Sequence, residues 1–412
     1  MSLRVWLRRL GPGLIFAAAA IGVSHLVQST RAGALYGFDL LWAIVAIHIV
    51  KYPFFQFGPR YVAATGRNLL HGYKDLGTWA IVVFTMVTLG TVFTIQAAVT
   101  VVTAAIMAQL FQITLPLWQL STLILLACGA LLYAEKFYLL ERSVKFIILL
   151  LTLSTITAVL AAANKGYHPP VVQHFEWTPV GITFLIALMG WMPSPLDLSV
   201  WVSFWNEEKN KELGGRMKLS DTLRDFNIGY WGTLFVALFF MALGAYIMHG
   251  QGISFSPKGA VFAQQLIDMY TQSLGDWAYW VIGGAALTTM LSTTLTVFDG
   301  IPRTLEKTTL LLLPKWEKRE KELYRLYMLL IGAGAVLLLA VFIQSMQAMV
   351  DLATILSFCT APFFAFANYR VIRGQSIPAN FRPGRGLQWF SRVGIVSLST
   401  FATYYLYTLF TH

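Results

Sequence analysis

Two long apolar stretches of the sequence are each interrupted near the middle by residues that break a helix. The first interruption is Gly22-Val23-Ser24-His25, and the second is Met192-Pro193-Ser194-Pro195. Backbone groups without hydrogen bonds cost several kcal/mol each in a bilayer, so unwound backbone persists there only where it lines a cavity or contacts a solute. Paired interruptions are typical of secondary transporters, and we expect the solute site at these two breaks.

The composition indicates a membrane protein. The 412 residues are 57% apolar and only 12% charged, which does not match a soluble domain of ordinary make-up. A membrane-spanning helix needs about 20 predominantly apolar residues. Eleven stretches meet that requirement: 12–33, 40–58, 79–110, 116–134, 143–163, 178–204, 228–249, 278–300, 326–344, 347–369 and 388–410. The sequence therefore predicts an all-α integral membrane protein with one polytopic domain.

The net charge of +11 is distributed unevenly between the predicted loops. Basic residues fill the loops on one side of the membrane and include Arg4, Arg8, Arg9, Arg60, Arg67, Lys74, Lys315, Lys318, Arg319, Lys321 and Arg325, whereas the opposite loops hold only Lys165 and Lys258. Cytoplasmic loops carry such an excess, so the amino terminus is predicted to be cytoplasmic and the carboxy terminus extracytoplasmic. We expect a bacterial inner membrane, with the charge facing lipid and not nucleic acid.

The spacing of the two breaks predicts an internal repeat. Each break opens a set of five spans, which is the arrangement of an inverted repeat. The predicted repeats are residues 1–164 and 178–372, and residues 387–410 form an additional eleventh helix. Residues 261–270 are predicted to form a short helix over the outer face, because Phe262, Leu266 and Met269 recur at helical spacing.

Several segments of the chain resemble the Nramp family of transporters. They are Gly11-Pro12-Gly13 before the first span, residues 31–42 after its break, residues 64–69, and Met192-Pro193 in the sixth span. The hydropathy profile extends the resemblance more loosely over the whole chain. The resemblance implies a leucine-transporter-like fold of ten core helices plus one, with broken helices 1 and 6 and alternating access.

The chain departs from the family at the residues that bind metal there. The resemblance aligns the family's metal-binding Asp-Pro-Gly-Asn with residues 22–25, and its Met-Pro-His with residues 192–194. The metal-binding carboxylate is therefore missing. The family's third span carries acidic residues associated with proton movement, but no charged residue occurs here from Leu76 to Ala134. A Gln of the family's tenth span corresponds to Thr360.

The residues at the breaks fit a small oxyanion better than a divalent metal. With only His25 and Met192 as ligands, a dehydrated 2+ charge would be uncompensated. Ser194 and Pro195 are favoured at the N-cap and first position of a helix. A half-helix beginning there would present backbone N–H groups and its positive dipole end to an anion such as bicarbonate. We expect Ser24 to cap the second half of the first span in the same way.

The predicted substrate-binding residues lie at the two breaks and in the tenth span: Gly22, Val23, Ser24, His25, Gln28, Met192, Ser194 and Thr360. Gly22 permits close backbone approach, and His25 and Gln28 can donate hydrogen bonds. His25 replaces the Asn of the family and can titrate near neutral pH. A packed core histidine is the alternative interpretation of this residue.

Four ionisable residues within spans are candidates for coupling or charge relay: His48, Lys51, Asp197 and Asp299. A lone cation within a span costs about 2.5 to 3.5 kcal/mol. Lys51 therefore contacts the solute, pairs with an acid or extends toward the cytoplasm, whereas His48 fits a core histidine. Asp197 forms a capping box with Ser194 or binds a coupling cation. Asp299 contributes to a cation site or pairs with Arg303.

The leading hypothesis is a secondary transporter of a small inorganic anion, with Na⁺ or H⁺ as a coupling ion and no cofactor. A proton-coupled transporter of divalent metal (Mn, Fe or Mg) using His25 and Met192 is the alternative. An ion channel would need a continuous pore lined by carbonyls or charged rings. The sequence contains no nucleophile with its base and no cofactor fingerprint of an enzyme. The expected partners are the inorganic solute and the lipid bilayer, without nucleic acid or an obligatory protein partner.

Overall fold

The computed structural model describes residues 11–134, 137–164, 166, 174–249, 254–342 and 345–411. Within these residues the chain forms fifteen helices, numbered here in chain order. They are α1 (Pro12–Ala20), α2 (Ser24–Tyr36), α3 (Leu41–Thr65), α4 (Leu69–Leu76), α5 (Thr78–Leu110), α6 (Leu117–Tyr133), α7 (Phe137–Asn164), α8 (Pro179–Gly190), α9 (Leu198–Glu212), α10 (Leu219–Ile247), α11 (Gly259–Leu274), α12 (Ala278–Leu312), α13 (Glu320–Leu337), α14 (Met346–Ile372) and α15 (Arg385–Thr411). Short 3₁₀ turns cover Pro314–Arg319 and Ala379–Phe381.

The predicted spans coincide with these helices or with pairs of them, which confirms the all-α fold. At least six single helices are long and apolar enough to cross a membrane. Large apolar side chains on the outside of the bundle are strongly exposed, as at Met86 (66%) and Leu329 (68%). Such exposure is stable in lipid, where the backbone groups are satisfied within each helix. Arg4, Arg8, Arg9 and Lys165, which supported the predicted topology, lie outside the described residues.

Both predicted breaks are present. Helices α1 and α2 are bent by 49° around residues 21–23, and the first turns of α2, Ser24–Ser29, are π-helical. Helix α8 ends at Gly190, and α9 begins only at Leu198. The unwound backbone of the first and sixth spans therefore meets in the interior of the bundle, as the sequence predicts.

Helix α10 holds both halves of the first span in place. Gly229 lies so close to α1 that an added Cβ would be 1.9 Å from the Gly13 carbonyl oxygen, and Gly244 lies similarly close to the carbonyl of Thr30 on α2. The carboxylate of Asp225 accepts hydrogen bonds from the backbone N–H groups of Gly11 (2.9 Å) and Gly13 (2.7 Å). These are N–H groups at the start of α1 that have no partner within the helix. The first span is thus fixed against α10 on either side of its break.

The predicted helix over residues 261–270 is confirmed as part of α11, and its apolar residues Phe262, Leu266 and Met269 are buried. The short helix α4 was not predicted. This helix lies between the second and third spans of the chain. Its N-cap residue, Asn68, accepts a hydrogen bond from the N–H of Leu70 (3.2 Å).

Candidate functional site

A cavity of about 40 Å³ lies between the two breaks. Its polar wall comes from Ser24 at the first break, Ser194 and Asp197 at the sixth, and Thr293 on α12. The wall is completed by Gly22, Val23, Pro195 and Leu198 at the breaks and by further Ala, Val, Ile and Trp residues. One water needs roughly 10 to 15 Å³ of such volume, so the cavity has room for a solute of only a few heavy atoms.

The first break is held by neutral groups. Ser24 Oγ lies 2.9 Å from the Ala20 carbonyl oxygen, 3.3 Å from that of Pro193, and 2.7 Å from His25 Nδ1. His25 Nε2 donates to the Thr233 carbonyl on α10 (3.0 Å). His25 is completely buried behind Ser24 and does not line the cavity. In this conformation its ring contacts the Ser24 hydroxyl and not the cavity.

Gly22 is the point of closest approach between the first break and α12. A Cβ at this position would lie 2.8 Å from Thr293 Oγ1 and 3.0 Å from Thr293 Cγ2. The absent side chain thus leaves the unwound backbone of the first span directly against a cavity-lining hydroxyl. Thr293 was not predicted, because threonine recurs along this span and no pattern singles out one of them.

Lys51 holds the sixth break by its charge. This side chain on α3 is completely buried. Its ammonium donates to the carbonyl oxygens of Met189 (2.9 Å), Gly190 (2.7 Å) and Ser194 (3.2 Å). The structure therefore excludes the predicted extension of Lys51 toward the cytoplasm, and the ammonium does not line the cavity. Instead, it satisfies carbonyl groups that the end of α8 leaves without a helical partner.

Asp197 is the only carboxylate on the cavity wall among the described residues. The expected capping box is wrong, because α9 begins at Leu198 with Asp197 itself in the N-cap position and no side-chain capping hydrogen bond. The Oδ1 atom is buried without a hydrogen-bond partner. The backbone N–H groups of Asp197 and Leu198 lie beside the carboxylate, and Lys51 is close enough to interact with its charge. Asp197 thus places negative charge at the positive end of the second half-helix.

The predicted caps at serine are also wrong. Ser24 makes no capping hydrogen bond at the start of α2, where Val23 is the N-cap residue. Ser194 lies four residues before α9 and faces the cavity with its side chain, while its carbonyl oxygen accepts from Lys51. The backbone between Trp191 and Asp197 turns before the helix begins, so neither serine is placed to satisfy the first helical N–H groups.

Gln28 points away from the cavity into an ion-pair cluster. Arg31 donates to Asp351 on α14 (2.7 Å) and to Gln28 Oε1 (2.9 Å), and Gln28 Nε2 donates to Asp351 (3.1 Å). Arg31 is only 5% exposed and also lies over the ring of Phe184 on α8. This cluster joins α2, α8 and α14 one helical turn beyond the break. Asp351 was missed, although an acid inside an apolar stretch is a recognisable signal.

Four other predicted residues do not line the cavity. Met192 is completely buried, and Thr360 donates to the Ser357 carbonyl within α14 (3.2 Å). His48 is buried as expected of a core histidine, but it is only half satisfied, because Nδ1 donates to the Ile44 carbonyl (2.7 Å) and Nε2 has no hydrogen-bond partner. Asp299 pairs with Arg303 (2.7 Å) and accepts from Tyr324 in a separate charged cavity of about 410 Å³ between α12 and α13. Asp299 therefore does not belong to the site at the breaks.

The described residues contain no cluster of imidazole, thiolate or carboxylate ligands for a divalent metal. No group of three or more His, Cys, Asp or Glu side chains lies close enough together among them to hold a metal ion. At the breaks, Asp197 is accompanied by hydroxyl groups, and Lys51 supplies a positive charge to the nearby carbonyls. A second cation placed there would be repelled by that ammonium.

Comparison with known proteins places this architecture. A family model described as natural resistance-associated macrophage protein-like, Nramp, matches residues 13–408. The chain belongs to the Nramp family. It is 33% identical over 402 residues to the uncharacterized protein PM0681 of Pasteurella multocida (strain Pm70), a match that covers 96% of this chain and 91% of that protein.

Solved structures confirm the predicted leucine-transporter-like fold. A mutant of the Eremococcus coleocola manganese transporter matches with a TM-score of 0.69 at 14% identity, over 97% of this chain and 86% of that chain. MhsT in complex with L-phenylalanine matches with a TM-score of 0.62 at 15% identity, over 97% of both chains. This Nramp-family protein is an integral membrane transporter. At these low sequence identities, the two structural matches establish the fold alone.

Proposed function

We propose that the protein is a secondary transporter of a small inorganic anion, with bicarbonate as the first candidate, and that its site no longer binds a transition metal. The observation that carries the proposal is the buried ammonium of Lys51, which donates to three carbonyl oxygens at the sixth break. A fixed positive charge in a low-dielectric interior favours an anion nearby and disfavours a divalent cation. The cavity volume of about 40 Å³ suits a solute of this size.

Asp197 determines how an anion would enter. Its carboxylate lies on the cavity wall beside the first backbone N–H groups of α9, so an ionised Asp197 occupies the position that an anion would take. Protonation removes this negative charge and makes the positive end of the half-helix available. The anion would therefore bind together with a proton on Asp197, and of the two coupling ions expected from the sequence we favour H⁺.

The solute contacts follow from this arrangement. The hydroxyl of Ser194 would donate a hydrogen bond to the oxyanion, those of Ser24 and Thr293 would do so by turning from their present acceptors, and Gly22 would let the backbone of the first break approach it. Alternating access would move α1, α2, α8 and α9 around the cavity in the bacterial inner membrane, with the amino terminus in the cytoplasm. The distribution of basic residues in the sequence supports that orientation.

Divalent metal transport is the second candidate. It is favoured by Asp197, because a carboxylate with three hydroxyl groups on one cavity wall offers hard oxygen ligands. The structural relative from Eremococcus coleocola is named a manganese transporter. His25 and Met192, the ligands expected for this alternative, do not line the cavity in this conformation.

Uptake into proteoliposomes tests the two candidates. One set of vesicles is given isotopically labelled bicarbonate, and the other set, which holds a metal-sensitive dye, is given manganese, both at constant external pH. Protein-free vesicles measure leakage, and vesicles with the Asp299→Asn variant control for a charge change outside the site. The proposal predicts uptake of the labelled bicarbonate above the level of protein-free vesicles and no manganese entry. Manganese entry without bicarbonate flux would establish the second candidate instead.

A further inference from the structure

The carbonyl groups at the sixth break have the properties of a cation site. Met189 and Gly190 are the last residues of α8, and Ser194 lies in the unwound stretch that follows. Carbonyl oxygens at the end of a half-helix carry a partial negative charge and have no intrahelical partner. Two such oxygens and the Ser194 carbonyl of the unwound stretch converge on one point, and they are ligands of the kind that bind hard monovalent cations in interrupted helices.

The ammonium of Lys51 lies at this point and has as many N–H donors as there are carbonyl oxygens. An ammonium group has three N–H donors and no acceptor, and a carbonyl oxygen can only accept. The three contacts, at 2.7 to 3.2 Å, therefore use every N–H of the charged form. The neutral amine has only two N–H groups and would leave one carbonyl unsatisfied, so the three contacts fit the charged form of Lys51 better than the neutral form.

The cation is attached to the neighbouring helix and cannot exchange with solution. Lys51 belongs to α3, which packs tightly on α9 at Gly58, where an added Cβ would lie 2.7 Å from the Ser199 carbonyl oxygen. Its Nζ contacts the carbonyls of residues that lie 138 to 143 positions later in the sequence. The side chain is fully buried, and its own N–H groups satisfy the three carbonyls, so no dissolved ion is needed there.

We propose that the carbonyls of Met189, Gly190 and Ser194 form a monovalent-cation site whose ligand is the tethered ammonium of Lys51. The protein therefore needs no dissolved Na⁺ or K⁺ at the sixth break, and shortening Lys51 recreates a site that such an ion fills. This inference shares the charge of Lys51 with the anion proposal but concerns stabilisation of the break, so its test measures melting temperature and not flux, and a failure of either one can be recognised separately.

Thermal unfolding of the purified full-length protein tests the inference. Wild type, Lys51→Ala and Lys51→Met are melted in choline chloride and then in NaCl, KCl or NH₄Cl at equal ionic strength. The expected result is a lower melting temperature of both variants in choline. At least one small cation should then raise the melting temperature of Lys51→Ala in a saturable way. Lys51→Met should not respond, because its side chain fills the position of the ion, and wild type should not respond either.

Lys74→Ala is the matched control. Lys74 also donates to a carbonyl, that of Leu311, but at an exposed position where water replaces the ammonium. Its melting temperature should be the same in every salt. The inference is overturned if no cation raises the melting temperature of Lys51→Ala, or if wild type, Lys74→Ala or Lys51→Met gains as much.

A second variant covers the case in which Lys51→Ala cannot be purified. Lys51→Ser leaves similar room and adds a hydroxyl oxygen as a further ligand. It should be recovered from membranes in a small cation and lost in choline. Failure to recover either variant in any of the three cations would also overturn the inference, because a dissolved ion would then not replace the ammonium.

Discussion

The two breaks face the same cavity but are stabilised by different interactions. The first is held by neutral hydrogen bonds that link Ser24 to His25 and His25 to the Thr233 carbonyl of α10. The sixth is held by two charges, with Lys51 on the carbonyl end of one half-helix and Asp197 at the amide end of the next. The contrast teaches that neutral groups shape the first break, whereas fixed charge is concentrated at the sixth, where we propose that the charged solute binds and coupling occurs.

Lys51→Met should have the largest effect, because it removes a charge and leaves three buried carbonyls without donors. Each unsatisfied group costs about 1 to 3 kcal/mol, so the loss of stability should exceed that of any substitution at the first break. We expect solute flux to fall to the level of protein-free vesicles. Normal flux with an unchanged melting temperature would remove the distinction between the breaks.

Asp197→Asn should alter the pH dependence of flux more than protein stability. In wild type, uptake at constant bicarbonate should rise as pH falls, by up to about tenfold per pH unit for a one-proton process below saturation. The asparagine variant, which is permanently neutral, should retain uptake with a flat pH profile. Asp299→Asn should keep the wild-type profile, and a flat wild-type profile would refute proton coupling through Asp197.

Gly22→Ala tests whether the first break contributes by shape. The added methyl group would lie within 3.0 Å of Thr293 atoms, and such overpacking costs about 1 to 3 kcal/mol. Flux should fall while its pH profile stays unchanged. Thr293→Ala in the same chain should restore part of the flux by making room, so the two substitutions should be non-additive in a double-mutant cycle. Additive losses would contradict a direct contact.

Ser24→Ala combined with His25→Ala should have the smallest effect of the four. Neutral hydrogen bonds contribute about 0.5 to 1.5 kcal/mol each, so flux should fall several-fold with the pH profile retained. The single variants test whether His25 acts by positioning Ser24. In that case, His25→Ala should reduce flux little further once Ser24 is Ala. Unchanged flux in the double variant would show that this hydroxyl does not belong to the solute site.

The sequence predicts the helices and breaks well, because these depend on local properties. Apolar length locates the spans, and Gly22, Pro193 and Pro195 locate the interruptions, since such residues disrupt helical hydrogen bonding wherever they occur. The predicted inverted repeat of residues 1–164 and 178–372 stays a prediction. A comparison of the two halves after a rotation within the membrane plane would test it.

The partners of the site residues could not be predicted from sequence, because they depend on how helices far apart in the chain pack. Nothing near Lys51 indicates that it reaches the carbonyls of Met189 and Gly190. The capping prediction for Ser194 was wrong because the backbone turns once more before α9 begins. His25 fits the pattern of a solute ligand in sequence, yet α10 lies close enough to bind its ring on the opposite side.

Equilibrium binding of manganese to the purified protein tests the central claim, that the chain itself supplies the cation at the sixth break. Titration calorimetry is performed on wild type and on Asp197→Asn, which lacks the only carboxylate on the described cavity wall. The account predicts no saturable binding of Mn²⁺ to either protein. One Mn²⁺ bound per wild-type chain, and lost in Asp197→Asn, would show that a metal occupies the cavity despite Lys51 and would contradict the account.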